Sequence, residues 1–246
     1  KNEDDIFSYP GRPTVSEINS LDSKRREELI KVGERYLNMR LSGETNDISA
    51  KFAYISKKQE ITKEKICNSF NWDINKPIIS IYASNWFDFP HAFGLKHFYD
   101  FYEWIATTLE IAANNEDANW LFKPHPCDEW YGVSNYQDIL GIINNSKNIR
   151  MSGKSWNGLQ LIKSIDGVVT SHGTIGMEAS FLEKPVLAVG DSWYANGRFI
   201  TQAINKSDYK NRLKKLDWLK FDNSKIDNVK LYSALYWGVP KWQNNF

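Results

Sequence analysis

Gly167-Val-Val-Thr-Ser-His-Gly-Thr-Ile-Gly-Met-Glu-Ala179 is the stretch on which the fold turns. Gly167–Val169 is short, apolar and β-branched, as a strand buried on both faces is. Small residues then turn the chain, and Ile175–Leu182 has the composition of a helix beginning near Thr174. The first N–H groups of a helix are unpaired and carry partial positive charge, so such a turn suits an anion. Ser171 and Thr174 add hydroxyl donors, and Gly173 and Gly176 allow a phosphate or the next strand to come close. A plain Ser/Thr/Gly helix cap reads the same way. The stretch is neither a G-x-G-x-x-G fingerprint nor a Walker loop, since no Gly-Lys-Ser/Thr occurs in it.

The strand-then-helix alternation continues on both sides of this stretch. After Asn75-Lys76-Pro77, Ile78–Ala83 reads as a strand, Lys96–Asn114 as a long helix, Trp120–Phe122 as a second strand and Tyr136–Ile143 as a helix. Asn148–Met151 is a third strand, Leu159–Lys163 a short helix, Gly167–Val169 the fourth strand and Pro185–Val189 the fifth. This order predicts an α/β, Rossmann-like parallel sheet with helices on both faces over residues 76–206. Residues 1–75 read as an N-terminal arm and helical linker. In it, residues 1–20 are a loop around Pro10-Gly11-Arg12-Pro13, Ser23–Leu41 is an amphipathic helix that Gly43 can end, and Thr62 caps a helix running to Phe70. Residues 207–246 read as C-terminal helices packing on the domain, with breaks at Asp208, Asn211 and Asn223-Ser224.

Ligands of such sheets sit outside the carboxyl ends of the strands. There the sequence places Ser84-Asn85-Trp-Phe-Asp88-Phe-Pro-His91, Lys123-Pro124-His125-Pro126, Thr170–Ala179 and Gly190-Asp-Ser-Trp-Tyr194. Three of the four His and a dense set of hydroxyl residues therefore collect at one edge. The opposite turns, such as Asn114–Asp117 and Asn144–Ser146, are ordinary. Two prolines restrict the backbone around His125 and aim its imidazole. Lys123 and His125 can both reach a phosphate; a rigid loop with a buried His bonded to backbone is the alternative. Glu178, near a helix start, suits either the helix dipole or a ribose diol.

The composition is that of a soluble globular protein, with 41% hydrophobic and 25% charged residues among 246. A formal charge of +1 lacks the basic footprint of a nucleic-acid binder. No apolar run approaches the roughly 18 residues of a membrane helix. Cys67 and Cys127 form no CxxC unit, which argues against a disulfide framework or a cysteine zinc site and for a reducing compartment. No DxD pair beside a strand and no HExxH is present, and His125 with His172 is a weak metal set without carboxylates, so no metal is called for. The absence of a GxSxG elbow argues against a serine nucleophile. Ten Trp supply stacking faces for sugars or bases, although core filling is the ordinary use of each. The chain begins with Lys1 and no signal segment, so either something was removed or it is a piece of a longer protein.

Asn71–Pro77, Lys123–Pro126, Ser171–Ala179 and Glu183–Gly190 together resemble bacterial capsule and surface polysaccharide glycosyltransferases, above all the capsule polysaccharide biosynthesis family that includes β-Kdo transferases. CDP-glycerol and other teichoic-acid polymerases share a looser version. The resemblance implies the donor-binding half of a GT-B fold, with an acceptor half missing or contributed elsewhere. It implies no cofactor and no obligatory metal. Its substrates would be a nucleotide-sugar donor, a CMP-sugar such as CMP-Kdo preferred, and a glycan or glycolipid acceptor. His125 would contact the donor phosphate; Ser171, His172, Gly173 and Thr174 would cradle it; and Glu178 would hold the ribose. Ser84, Asn85, Lys123, Gly176 and Tyr194 complete the expected donor site, and Asp88 and His91 are the candidates for a catalytic base within this chain. The implied location is the cytoplasm, with at most peripheral contact at the inner membrane face. A polyol-phosphate transferase acting on CDP-linked donors and a non-catalytic nucleotide- or glycan-binding module are the alternatives.

Overall fold

A computed structural model describes residues 13–55, 58–91, 94–128 and 137–238. Six parallel strands form the sheet: β1 (Ile78–Tyr82), β2 (Asn119–Lys123), β3 (Ile149–Met151), β4 (Gly167–Thr170), β5 (Val186–Ala188) and β6 (Thr201–Gln202). Their order is β3-β2-β1-β4-β5-β6. β1 is central, with Ile79 opposite Trp120 on one side and Gly167 on the other. The chain reverses its direction of travel across the sheet between β1 and β4, and there the crossovers leave to opposite faces and open a crevice.

Alternation along each strand divides the core in two. Ile79, Ile81, Trp120, Phe122 and Leu187 face one layer, formed by α5 (Phe101–Ala113), α6 (Gln137–Asn145) and α9 (Lys206–Lys215). Ile78, Leu121, Val168 and Val186 face the other, formed by α3 (Ile48–Tyr54), α4 (Lys63–Phe70), α7 (Gly158–Ser164) and α8 (Ile175–Phe181). A third cluster joins α2 (Ser23–Leu41) to α10 (Ile226–Ser233) through Leu29, Leu37, Val229 and Tyr232, and it reaches α8 at Met177. The N-terminal linker and the C-terminal helices thus pack on one another beside the sheet.

Gly33 permits the α2–α10 contact. A Cβ there would lie 1.7 Å from the Lys230 carbonyl oxygen, which is backbone and has nowhere to go. Gly33→Ala is expected to force the helices apart and to cost at least about 1–3 kcal/mol. Thermal unfolding of the variant checks this, and a melting temperature equal to the parent's would refute the close approach.

Several elements depart from the sequence reading. Within the expected N-terminal loop, Val15–Ser20 forms α1, closed by a capping box in which the Glu17 N–H donates to Thr14 Oγ1 (3.1 Å) and the Thr14 N–H to Glu17 Oε2 (2.6 Å). Residues 1–12 lie outside the described residues, as does Tyr136 at the expected start of α6. α3 was not expected; Asp47 caps it, accepting from the Ala50 N–H at 3.0 Å. α5 starts at Phe101 instead of Lys96, because Asp100 caps it through the Glu103 N–H (2.8 Å). Asp208 and Asn211 are not breaks but lie inside α9, whose cap is Asn205. The strand β6 had no forecast; two residues are too few for periodicity to register. Among the described residues no helix is long and apolar enough to cross a membrane.

Candidate functional site

A pocket of about 280 Å³ opens at the carboxyl ends of β1, β2 and β4, at the switch point. The loop after β2 supplies Lys123, Pro124, His125 and Pro126 to its wall, and the turn after β4 supplies His172, Gly173 and Thr174. The two segments that carry the sequence argument thus line one cavity. Ser84, Asn85 and Asp88 come from the connection after β1.

Lys123 and His125 form the cationic side. Lys123 is half-buried, lies over the Tyr82 ring at 6.0 Å and makes no ion pair among the described residues. Burial, helped by repulsion from Lys58, brings its ammonium down to about 8. His125 is pushed down to about 4, by burial first and by Lys123 second, against a pull from Asp47. The ring is therefore neutral near pH 7. Its Nδ1 accepts from the Cys127 N–H at 3.2 Å, which assigns the proton to Nε2. The His125 N–H in turn donates to Asp128 Oδ2 at 3.1 Å and fixes the loop.

Behind the turn, Ser84 and Ser171 share a short hydroxyl–hydroxyl bond across the β1–β4 seam. Ser171 Oγ also meets His172 Nδ1 at 3.0 Å. Ser171 is fully buried and acts from behind the wall, while burial brings His172 down to about 4. The Phe101 ring lies 5.7 Å from the His172 ring, centroid to centroid. Gly176, Tyr194 and His91 are not part of the pocket wall. Tyr194 donates from its hydroxyl to the Gly173 carbonyl at 2.7 Å, and a Cβ on Gly176 would sit 2.1 Å from that hydroxyl. Gly176 is thus small to admit Tyr194, and the space expected for a phosphate is filled. His91 Nδ1 bonds the Leu95 carbonyl at 2.9 Å. Asp88 does face the pocket, and burial raises its carboxyl above the ordinary value.

Glu178, expected to hold the ribose, lines the pocket. It is 3% exposed, and both oxygens are engaged by protein. Oε1 accepts from Arg40 Nε at 2.5 Å, and Oε2 accepts a short bond from the Tyr54 hydroxyl. Arg40 continues to Asp47 Oδ2 (2.8 Å) and Thr174 Oγ1 (3.3 Å), and its guanidinium carbon lies 4.7 Å from the Trp237 ring centroid. Although burial opposes it, attraction to Glu178 and Asp47 raises Arg40 further above its ordinary value. Asp47 is held at about 2, because bonds from Ser49, Arg40 and the Ala50 N–H outweigh burial. Arg40, Asp47 and Tyr54 all line the pocket, and none was among the expected site residues. The legible signal was Arg40 itself, which continues the buried stripe Leu29, Gly33, Leu37 of α2.

The sequence model of the family "capsule polysaccharide biosynthesis protein" matches residues 97–221, about half of the chain. The chain belongs to this family. The matched part of this capsule-synthesis chain holds the Lys123–Pro126 loop and the Ser171–Thr174 turn but not the helices that bring Arg40, Asp47 and Tyr54. No curated protein sequence matches it. Among solved structures, the β-Kdo 2,4-transferase of KpsC from Thermosulfurimonas dismutans is similar with a TM-score of 0.50 and 15% identity, covering 93% of this chain and 67% of that one. The β-Kdo 2,7-transferase of KpsC from the same organism gives 0.45 and 16%, over 87% and 64%. HepE of Anabaena in complex with UDP-glucose gives 0.43 and 13%, over 70% and 46%. The KpsC 2,4-transferase likeness is one of fold: a Rossmann-like, GT-B-type sheet flanked by helices. The chain spans about two thirds of the KpsC structures and about half of HepE.

Proposed function

We propose that this capsule-synthesis chain is the donor-binding part of a metal-independent glycosyltransferase of capsule or surface polysaccharide biosynthesis. It would take a sugar from a nucleotide-sugar, a CMP-sugar such as CMP-Kdo preferred, and pass it to a glycan or glycolipid acceptor. A second domain facing the pocket would hold the acceptor, and the work would be done in the cytoplasm at the inner membrane face. The observation that carries the reading is the half-buried Lys123, without a carboxylate partner among the described residues, beside a neutral His125 in a pocket at the sheet's switch point.

Such a site favours a group whose negative charge grows during the reaction. As the glycosidic bond to phosphate breaks, charge accumulates on the departing nucleotide. Lys123 Nζ and the Nε2–H of His125 would act as donors toward it. His125 stays a hydrogen-bond donor near neutrality without carrying charge, because its Nδ1 is already occupied. Asp88, a carboxylate of the wall without an ion pair among the described residues, would take a proton from an acceptor hydroxyl. Burial raises its proton affinity in the direction a general base requires.

Titration of the chain with CMP, CDP and UDP, followed by thermal unfolding and calorimetry, tests the reading. CMP is expected to bind most tightly and to raise the melting temperature by mass action. Preference for CDP would move the assignment to polyol-phosphate transfer. Absence of a shift with all three nucleotides would overturn nucleotide binding.

A further inference from the structure

We infer that Arg40 is a positioning residue of the ligand site, by which the N-terminal helices set the geometry of the turn after β4. This rests on the reading of the pocket as a donor site. Arg40 is 5% exposed and stands on α2, outside the Rossmann core. Its planar fork reaches three elements at once: Nε to Glu178 on α8, one terminal nitrogen to Asp47 at the cap of α3, and the other to Thr174 at the start of α8. Only a guanidinium presents donors in those three directions.

The Thr174 contact gives the arrangement its consequence. Thr174 occupies the cap position of α8, yet its hydroxyl makes no cap bond and its backbone is already helical (φ −56°, ψ −22°). A capping threonine ordinarily turns its oxygen onto the N–H groups of the first turn. Here the helical backbone takes the hydroxyl out of capping geometry, and Oγ1 accepts from Arg40 instead, at the pocket wall. Glu178, one turn further along α8, is fixed by the same guanidinium and by Tyr54. Two points on α8 and its turn are therefore set from α2 and α3.

The test is amide hydrogen exchange across Ser171–Ile175 in the ligand-free chain, with Ile78–Tyr82 as the internal reference, combined with CMP titration. Arg40→Lys keeps a positive charge for Glu178 but has a single donor centre, so it cannot serve Asp47 and Thr174 together. It is expected to speed exchange at 171–175 by tenfold or more relative to β1 and to weaken CMP at least tenfold. Tyr54→Phe removes only the second bond to Glu178 and is expected to leave the turn's exchange within twofold of the parent. Thr174→Val removes the acceptor itself, should reproduce the Arg40→Lys effect, and should add nothing to it in the double variant. Unchanged exchange at 171–175 in Arg40→Lys overturns the inference even where CMP binds. Conversely, a parent chain that binds no nucleotide sinks the donor-site reading, while the exchange result still decides whether Arg40 positions the turn.

Discussion

Lys123→Met is expected to weaken CMP binding by about 10- to 150-fold, the range for one charge-assisted hydrogen bond worth about 1.5–3 kcal/mol. The same substitution is expected to leave the chain as stable as before or more so. Both outcomes follow from one fact: the ammonium is half-buried without an ion pair among the described residues, so it costs folding energy unless a ligand anion meets it. Its value falls from the ordinary 10.5 to about 8 in the folded chain, corresponding to on the order of 3 kcal/mol. The folded value lies below the unfolded one, so between pH 8 and 10.5 the unfolded chain binds more protons and stability rises with pH. Below pH 8 the penalty is present in full, and methionine removes it. Affinity runs the other way. A phosphate favours the charged lysine, so CMP binding should fall as pH rises above about 8, by at most about tenfold per pH unit, and Lys123→Met should abolish that dependence. Calorimetric titration of both chains at pH 7 and pH 9, with melting curves at the same pH values, measures each part. Equal affinity of the parent at the two pH values would refute the role of Lys123.

The sheet was legible because its signal is local and repeated. Five short apolar runs, each followed by turn residues and a helix, placed β1 to β5 within a residue or so of their observed bounds. The Lys123-Pro-His-Pro126 and Ser171–Thr174 segments were legible for a related reason: topology alone puts strand ends on one edge. The other wall was not legible. Arg40 lies 138 residues from Glu178 in the chain, and no spacing rule connects them. The occupants of Glu178 come from α2 and α3, and α3 has apolar residues on both sides, Ile48 and Phe52 exposed and Ala50 and Tyr54 buried, so no periodicity reveals its face. Gly176 and Tyr194 were misplaced on similar grounds. A small residue near a phosphate-type turn and a small residue under a tyrosine ring read alike in sequence, and only the 2.1 Å approach separates them.

The Arg40–Glu178 pair carries the second large effect. Removing one member of a buried ion pair leaves the other charge unsolvated and costs about 3–5 kcal/mol. Arg40→Met therefore should lower the melting temperature by roughly 6–20 °C, taking about 2–4 °C per kcal/mol for a chain of this size. Glu178→Gln should cost less, since Gln keeps an oxygen that can accept from Arg40 or from Tyr54, and Arg40 retains Asp47. In the double variant Arg40→Met/Glu178→Met both charges are gone. Asp47, Thr174 and the buried Tyr54 hydroxyl each lose a partner, and of these Asp47, with its side chain 38% exposed, can be met by water. Part of the lost stability should return, because well-packed apolar replacements of a buried pair are often neutral, while the orphaned Tyr54 hydroxyl retains a cost of about 1–3 kcal/mol. A double variant as unstable as Arg40→Met would refute pairwise compensation and place the cost in lost packing against Trp237. If stability returns, the restored fold still lacks the guanidinium at Thr174. CMP affinity in that chain should stay at least tenfold below the parent's, separating what the pair does for the fold from what Arg40 does for the pocket.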